Sequence, residues 1–186
     1  MEALRNDKFY TYADYATWDT KDRYELIAGE PYMIASPSNT HQRILGELHR
    51  QIANFLVKKT CTIRIAPFDV RLSAEGDNDR DVVQPDIVVV CDRSKLDEKG
   101  LNGAPDMVIE IVSPSTESHD RVRKFNKYLQ AGIREYWVIS PDSKTVTVFI
   151  LQNGTYIAQG YGETDTVPVH VLEGCEISLP DVFTED

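Results

Sequence analysis

The sequence predicts an α/β or α+β domain built around a mixed β-sheet, and three features predict it. Two short runs, Asp86 to Cys91 (DIVVVC) and Asp106 to Val112 (DMVIEIV), are apolar and rich in β-branched residues, as in strands buried on both faces. Two longer segments, His41 to about Lys58 and Ser115 to about Gln130, carry apolar residues at helical spacing. Turn residues divide the remainder into short strands.

In chain order, Tyr24 to Ile27 reads as a short strand, Gly29 as a turn and Tyr32 to Ile34 as a second strand. Pro37, Ser38 and Asn39 break the chain, and Thr40 is the expected N-cap of the first helix. That helix repeats its apolar positions at Ile44, Leu45, Leu48, Ile52, Phe55 and Leu56. Cys61 to Leu72 is β-rich, and Pro85 and Pro105 mark the starts of the two apolar strands. The bend at Ser113, Pro114 and Ser115 is expected to cap the second helix through Ser115 or Thr116, with Glu117 or Ser118 in its first turn. Gly132 suits the C′ position of the same helix. Strands at Glu135 to Ile139 and Thr145 to Leu151 follow, split by a Pro141–Asp142–Ser143 turn. Asn153–Gly154 is a hairpin signal leading to a strand at Thr155 to Gln159, and a last short strand lies near Glu176 to Leu179. Trp137 and Tyr136 read as core. The segment Arg93 to Gly103, between the two apolar strands, reads as a charged, mobile loop that contacts substrate.

The 186 residues suit one domain, with 41% hydrophobic and 27% charged residues. No apolar run reaches the roughly 18 residues of a membrane span, and Met1 to Tyr10 lacks the apolar core of a signal peptide. A cytoplasmic protein is expected. Cys61, Cys91 and Cys175 are odd in number and without paired spacing, so neither a disulfide nor a zinc knuckle is expected, and a reducing compartment fits. The net charge of −10 argues against a tight, non-specific grip on duplex phosphates. It is compatible with a nuclease, whose metal supplies local positive charge.

Two carboxylates stand out. Glu110 lies inside an apolar run, where an ionised side chain is expensive unless paired or metal-bound, and Asp86 opens the other run directly after a proline. If these strands pair, both reach one end of the sheet, and two hard oxygen ligands there suit Mg²⁺ or Mn²⁺. Taken singly, each has an ordinary structural reading: Asp86 as a turn cap, Glu110 as the partner of a core-edge arginine. Asp120, Lys124 and Tyr128 share a face of the second helix. Lys124 either reaches back over the carboxylates as an ammonium that stabilises a phosphoryl transition state or makes a solvated pair with Asp120.

Seven blocks, YELIAGEPY, SPSNTHQRI, APFDVRL, VVQPDIVVVCD, GAPDMVIEIVSPST, DRVRKFNKY and GIREYWVISP, together resemble the Uma family of "putative restriction endonucleases", of the PD-(D/E)XK nuclease superfamily. The resemblance runs from about Tyr24 to Leu179. It implies a restriction-endonuclease-like mixed β-sheet flanked by helices, with additional N-terminal and C-terminal strands. It also implies a metal held by Asp86 and Glu110, with Mg²⁺ or Mn²⁺ as cofactor. The superfamily's usual lysine, two residues after the second acid, is replaced here by Val112, and the family pattern places it on the following helix at Lys124. Glu25 and His41 fall in family-typical blocks and are additional candidates; Glu47, on the first helix, is not adopted. The expected activity is metal-dependent endonucleolytic hydrolysis of phosphodiesters, with nucleic acid (DNA first) as substrate and a homodimer as the assembly. A catalytically inactive nuclease-fold module that binds nucleic acid or protein is the alternative. A hydrolase of another phosphate ester, using the same site, is the third reading.

Overall fold

The computed structural model describes residues 8–112 and 119–184. The elements are α1 (Tyr12–Tyr15), β1 (Arg23–Ile27), β2 (Glu30–Ile34), α2 (Asn39–Leu56), β3 (Thr62–Ile65), β4 (Val70–Arg71), β5 (Val82–Val83), β6 (Ile87–Val90), β7 (Leu96–Asp97) and β8 (Gly100–Asn102). They continue with β9 (Met107–Ile111), α3 (His119–Gln130), β10 (Glu135–Ser140), β11 (Thr145–Gln152), β12 (Thr155–Gly162), β13 (Thr166–Val169), β14 (Cys175–Ser178) and α4 (Leu179–Phe183).

The central sheet has the order β12-β11-β10-β9-β6-β3. It is mixed, as expected: β9 and β10, joined through α3, pair in parallel, and its other neighbours are antiparallel. The expected N-terminal strands do not extend this sheet. They belong to a second mixed sheet, β2-β1-β5-β4-β8-β7, while β13 and β14 form a separate hairpin.

Alternation along β6, β9 and β10 divides the core. Ile87, Val89, Met107, Ile109 and Trp137 face α2, α4 and the C-terminal hairpin. Val88, Val90, Val108, Tyr136 and Val138 face Tyr128 of α3 and Val70, Val83 and Leu101 of the second sheet. Both faces of the central strands are therefore covered, which is why their sequences are continuously apolar.

Local chemistry fixes the helix ends. Ser38, not Thr40, caps α2: its hydroxyl accepts from the His41 amide at 3.1 Å. The C-terminus of α3 closes through Ile133 N–H to Tyr128 C=O and Gly132 N–H to Leu129 C=O, with Gly132 at φ 75°, the left-handed position read for it. The predicted first turn of this helix, with its Ser115 or Thr116 cap, lies outside the described residues, as does the side chain of Asp120.

Two further expectations are corrected. Cys61 and Cys91 form a disulfide. The β3–β6 ladder pairs Thr62 with Val90, and its next step sets Cys61 opposite Cys91. A separation of 30 residues carries no local signal of that register, so the cysteine argument for a reducing compartment falls. Cys175 is a free, buried thiol. Arg93 to Gly103 is not a plain loop: it holds a turn and the paired strands β7 and β8, with Gly100, Leu101 and Gly103 buried. Among the described residues no helix is long and apolar enough to cross a membrane.

Candidate active site

Strand register brings the two candidate acids together. β6 and β9 pair Ile87 with Ile109 and Val88 with Val108. One further step sets Asp86 opposite Glu110, where directly facing Cβ atoms lie about 5 Å apart. Asp86 Oδ2 accepts from the backbone N–H of Ile111 at 2.7 Å, so its side chain reaches across to the strand of Glu110. Both acids line one open cavity of about 470 Å³.

Glu110 is held from α3 and from the second sheet. Its Oε1 accepts from Tyr128 Oη at 2.6 Å and lies 3.0 Å from Lys124 Nζ. Lys124 is also 2.9 Å from Glu25 Oε1, and that oxygen accepts from the Gln84 backbone N–H at 2.7 Å. His41 Nε2, on the first turn of α2, lies 3.1 Å from Asp86 Oδ1. Glu25, His41, Asp86, Glu110 and Lys124 thus form one connected cluster. Three parts of the fold supply it: the middle of β1, the start of α2, and the β6–β9–α3 core.

Lys124 is not a solvated helix lysine. Its side chain is only 12% exposed and sits between two carboxylates. The i+4 spacing that put Tyr128 on the same helical face places its phenol, with the residue fully buried, directly on Glu110. Tyr128 and Gln84 were not singled out from sequence as site residues. The signals for them were that helical spacing and, for Gln84, its place two residues before Asp86. Glu47 pairs instead with Arg50 and Gln51 on its own helix, away from the cavity. None of Arg93 to Gly103 lines the cavity, which removes the geometric ground for a substrate-contacting loop there.

The electrostatics follow from one ammonium shared among three carboxylates. Burial pushes the Glu110 carboxyl up to about 7; Lys124 opposes this and the charges of Asp86 and Glu25 add to it. Burial works against the Lys124 ammonium, yet Glu110 and Glu25 outweigh it and hold the amine protonated well above its ordinary range. Burial, reinforced by Glu110, also raises the Tyr128 phenol, which stays a neutral donor.

The donor set suits a hard divalent cation. Two carboxylates face each other across a ladder at the wall of an open cavity, and Mg²⁺ is commonly held by one or two carboxylates, with water and substrate phosphate completing its shell. Among the described residues no three His, Cys, Asp or Glu side chains form a ready-made cage. A closed structural zinc site, which needs four protein ligands, therefore does not match this arrangement.

The Uma2 family, described as "Putative restriction endonuclease", matches residues 11–180 of the chain. A crystal structure described as a "putative nuclease belonging to DUF820", from Anabaena variabilis, superposes with a TM-score of 0.73 at 25% identity, covering 93% of this chain and 97% of that one. An uncharacterized protein of Synechocystis sp. is 25% identical over 156 residues, 82% of this chain and 80% of its own length.

Proposed function

Because the chain belongs to the Uma2 family of "Putative restriction endonuclease" proteins, we propose that it is a Mg²⁺- or Mn²⁺-dependent endonuclease that hydrolyses phosphodiester bonds of nucleic acid, DNA first. The observation that carries the reading is the facing pair Asp86 and Glu110 with the Lys124 ammonium 3.0 Å from the second acid. In this reading Asp86 and Glu110 hold the cation, which when bound supplies Lewis-acid polarisation of the phosphate.

The chain's own residues do the rest. Lys124 is held protonated by two carboxylates and so is not the base. It is a fixed positive charge facing the place where charge develops on the phosphoryl oxygens, the arrangement that favours a transition state over a ground state. Tyr128 orients Glu110 through its 2.6 Å hydrogen bond. His41 holds Asp86, and Glu25 balances and aims Lys124. Val112 at the superfamily's usual lysine position is then no loss, because α3 delivers an ammonium to the same carboxylate. A homodimer, which presents two such sites, belongs to the same proposal for cutting both strands of a duplex.

The test is cleavage of supercoiled plasmid, single-stranded DNA and RNA in Mg²⁺, Mn²⁺ or EDTA. Cleavage of at least one substrate is expected with metal, lost in EDTA and in Asp86→Asn. Binding without cleavage by the wild type under every metal would sink the enzyme and favour the inactive module.

A further inference from the structure

We infer that Arg23 is a substrate-binding residue that grips a phosphate of the nucleic acid strand, and that Gln84, backed by Tyr15 and Asp69, is the positioning residue that aims it. The inference rests on the nuclease reading and adds a wall of the cavity outside the carboxylate cluster.

A groove for a phosphodiester needs positive charge that is not already spent. The charged side chains on the cavity wall are Glu25, Asp86, Glu110 and Asp142 against Arg23 and Lys124. Lys124 is engaged by two of those acids. Arg23 differs. Its Nε and Nη2 donate to the Gln84 side-chain oxygen at 2.9 and 2.6 Å, and among the described residues no carboxylate pairs with it. Its partner is a neutral amide, so its charge remains available to the cavity.

The geometry is pre-set by a chain of hydrogen bonds. Gln84 Nε2 donates to Asp69 Oδ1 at 2.8 Å and to Tyr15 Oη at 2.9 Å, and Tyr15 Oη in turn donates to the same Asp69 oxygen at 3.1 Å. A carboxylate oxygen accepts, so the Gln84 NH₂ must face Asp69 and its carbonyl must face Arg23. The guanidinium is thereby clamped on one edge, while the Nη1 protons and one on Nη2 remain for a bidentate phosphate contact. Arg23 stands opposite Ile34 in the β1–β2 ladder, and both residues line the cavity. The Gln84 backbone N–H meanwhile holds Glu25, and Asp86 follows two residues later. One short segment therefore sets both the arginine and the first acid, which fixes their relation to each other.

A purely structural tie between β1 and this segment predicts no change in how binding responds to salt; a phosphate contact does. The experiment measures the affinity of the full-length protein for a short fluorescein-labelled DNA, single-stranded and duplex, in Ca²⁺ across a salt series, with steady-state cleavage in Mn²⁺ alongside. Arg23→Ala is expected to weaken binding roughly tenfold to a hundredfold, the effect of losing a charge-assisted contact. The slope of log affinity against log salt should fall by about 0.7 for single strands or about 0.9 for duplex, and KM should rise more than kcat falls. Gln84→Leu keeps the charge, so it should weaken binding while leaving the slope unchanged. If Arg23→Ala does not fold, Arg23→Gln retains the stem without the charge and is read the same way. Wild-type affinity and slope in the charge-removing variant, in a protein that binds and cuts normally, overturn this inference alone. A wild type that neither binds nor cuts any nucleic acid overturns the nuclease reading and this one with it.

Discussion

Lys124 is one cation among Glu25, Asp86 and Glu110, so removing it does two separable things. On the proposed mechanism it deletes the charge set to face the reacting phosphate, and it leaves buried carboxylates unpaired. Lys124→Ala is therefore expected to lower kcat by at least about a hundredfold, the scale for losing one preorganised electrostatic group. It should also lower stability by about 3 kcal/mol, the scale for breaking a buried pair. This exceeds the few tenths expected of a solvated helix lysine. Lys127 is the internal comparison: it pairs with Asp81 at 2.9 Å outside the cavity. Lys127→Ala should cost about 1 kcal/mol or less and leave kcat unchanged. Turnover with circular dichroism to verify folding decides it, and a folded Lys124→Ala that cuts like the wild type sinks the assignment. Glu110 was legible in the sequence because an acid inside an apolar strand is costly alone, and Asp86 because it opens the neighbouring apolar run; Lys124 was legible through the family resemblance, since its spacing alone left a solvated pair with Asp120 open. Arg23 and Gln84 were not, because a polar side chain near a strand end conflicts with nothing. Their roles come from contacts 61 residues apart.

Among the elements, the two long helices, the core strands and the β1–β2 pair of the second sheet were readable, and the rest of the second sheet was not. α2 and α3 carry enough residues for a helical period to be seen, and β6, β9, β10 and β11 show as apolar runs rich in β-branched and aromatic residues. β4 and β5 are two residues long, β7 is two and β8 is three, too short for any alternation to register. Their existence depends on backbone pairing supplied from elsewhere in the chain. Gly100, on β8, is one such joint. It has φ 126°, and a Cβ there would lie 2.2 Å from the carbonyl oxygen of Asp69, the residue whose side chain anchors Gln84. Neither atom belongs to a flexible side chain, so the backbone itself must shift. Gly100→Ala is expected to destabilise the fold by roughly 2–4 kcal/mol, combining strained backbone with overpacking. Gly154→Ala, also at positive φ but with open space around it, should cost only about 1 kcal/mol. Denaturant midpoints compare the two directly; equal small effects would mean that β8 does not bear on Asp69 as described.

For the molecule as a whole, the excess of carboxylates over cations at the site links stability to metal and to pH. A cation that binds only the folded protein raises stability by RT ln(1 + [M]/Kd), about 2.7 kcal/mol at a hundredfold excess over Kd. Mg²⁺ or Mn²⁺ should therefore raise the melting temperature, and Asp86→Asn should blunt the response. Identical responses in the two proteins would place the metal elsewhere. The proton competes for the same oxygens. In the metal-free protein Glu110 is pushed up to about 7 from its ordinary 4.5, chiefly by burial. The folded state then binds this proton more tightly than the unfolded state, and stability rises as protons are added. The contribution is fully present below about 4.5 and is lost as pH climbs through about 7; its ceiling is on the order of 3 kcal/mol. Metal-free protein should accordingly melt at a higher temperature at pH 5.5 than at pH 8, against the usual trend for carboxylates that are stabilised as anions. Glu110→Gln, which cannot ionise, should flatten the profile across that window. Saturating Mn²⁺ should also flatten it, because metal binding at pH 6 must expel the proton that the carboxyl holds. Calorimetric melts at both pH values, with and without Mn²⁺, decide the matter. A metal-free wild type that loses stability between pH 8 and pH 5.5 in step with Glu110→Gln would show that Lys124 neutralises Glu110 fully and that no excess charge waits at this site for a cation.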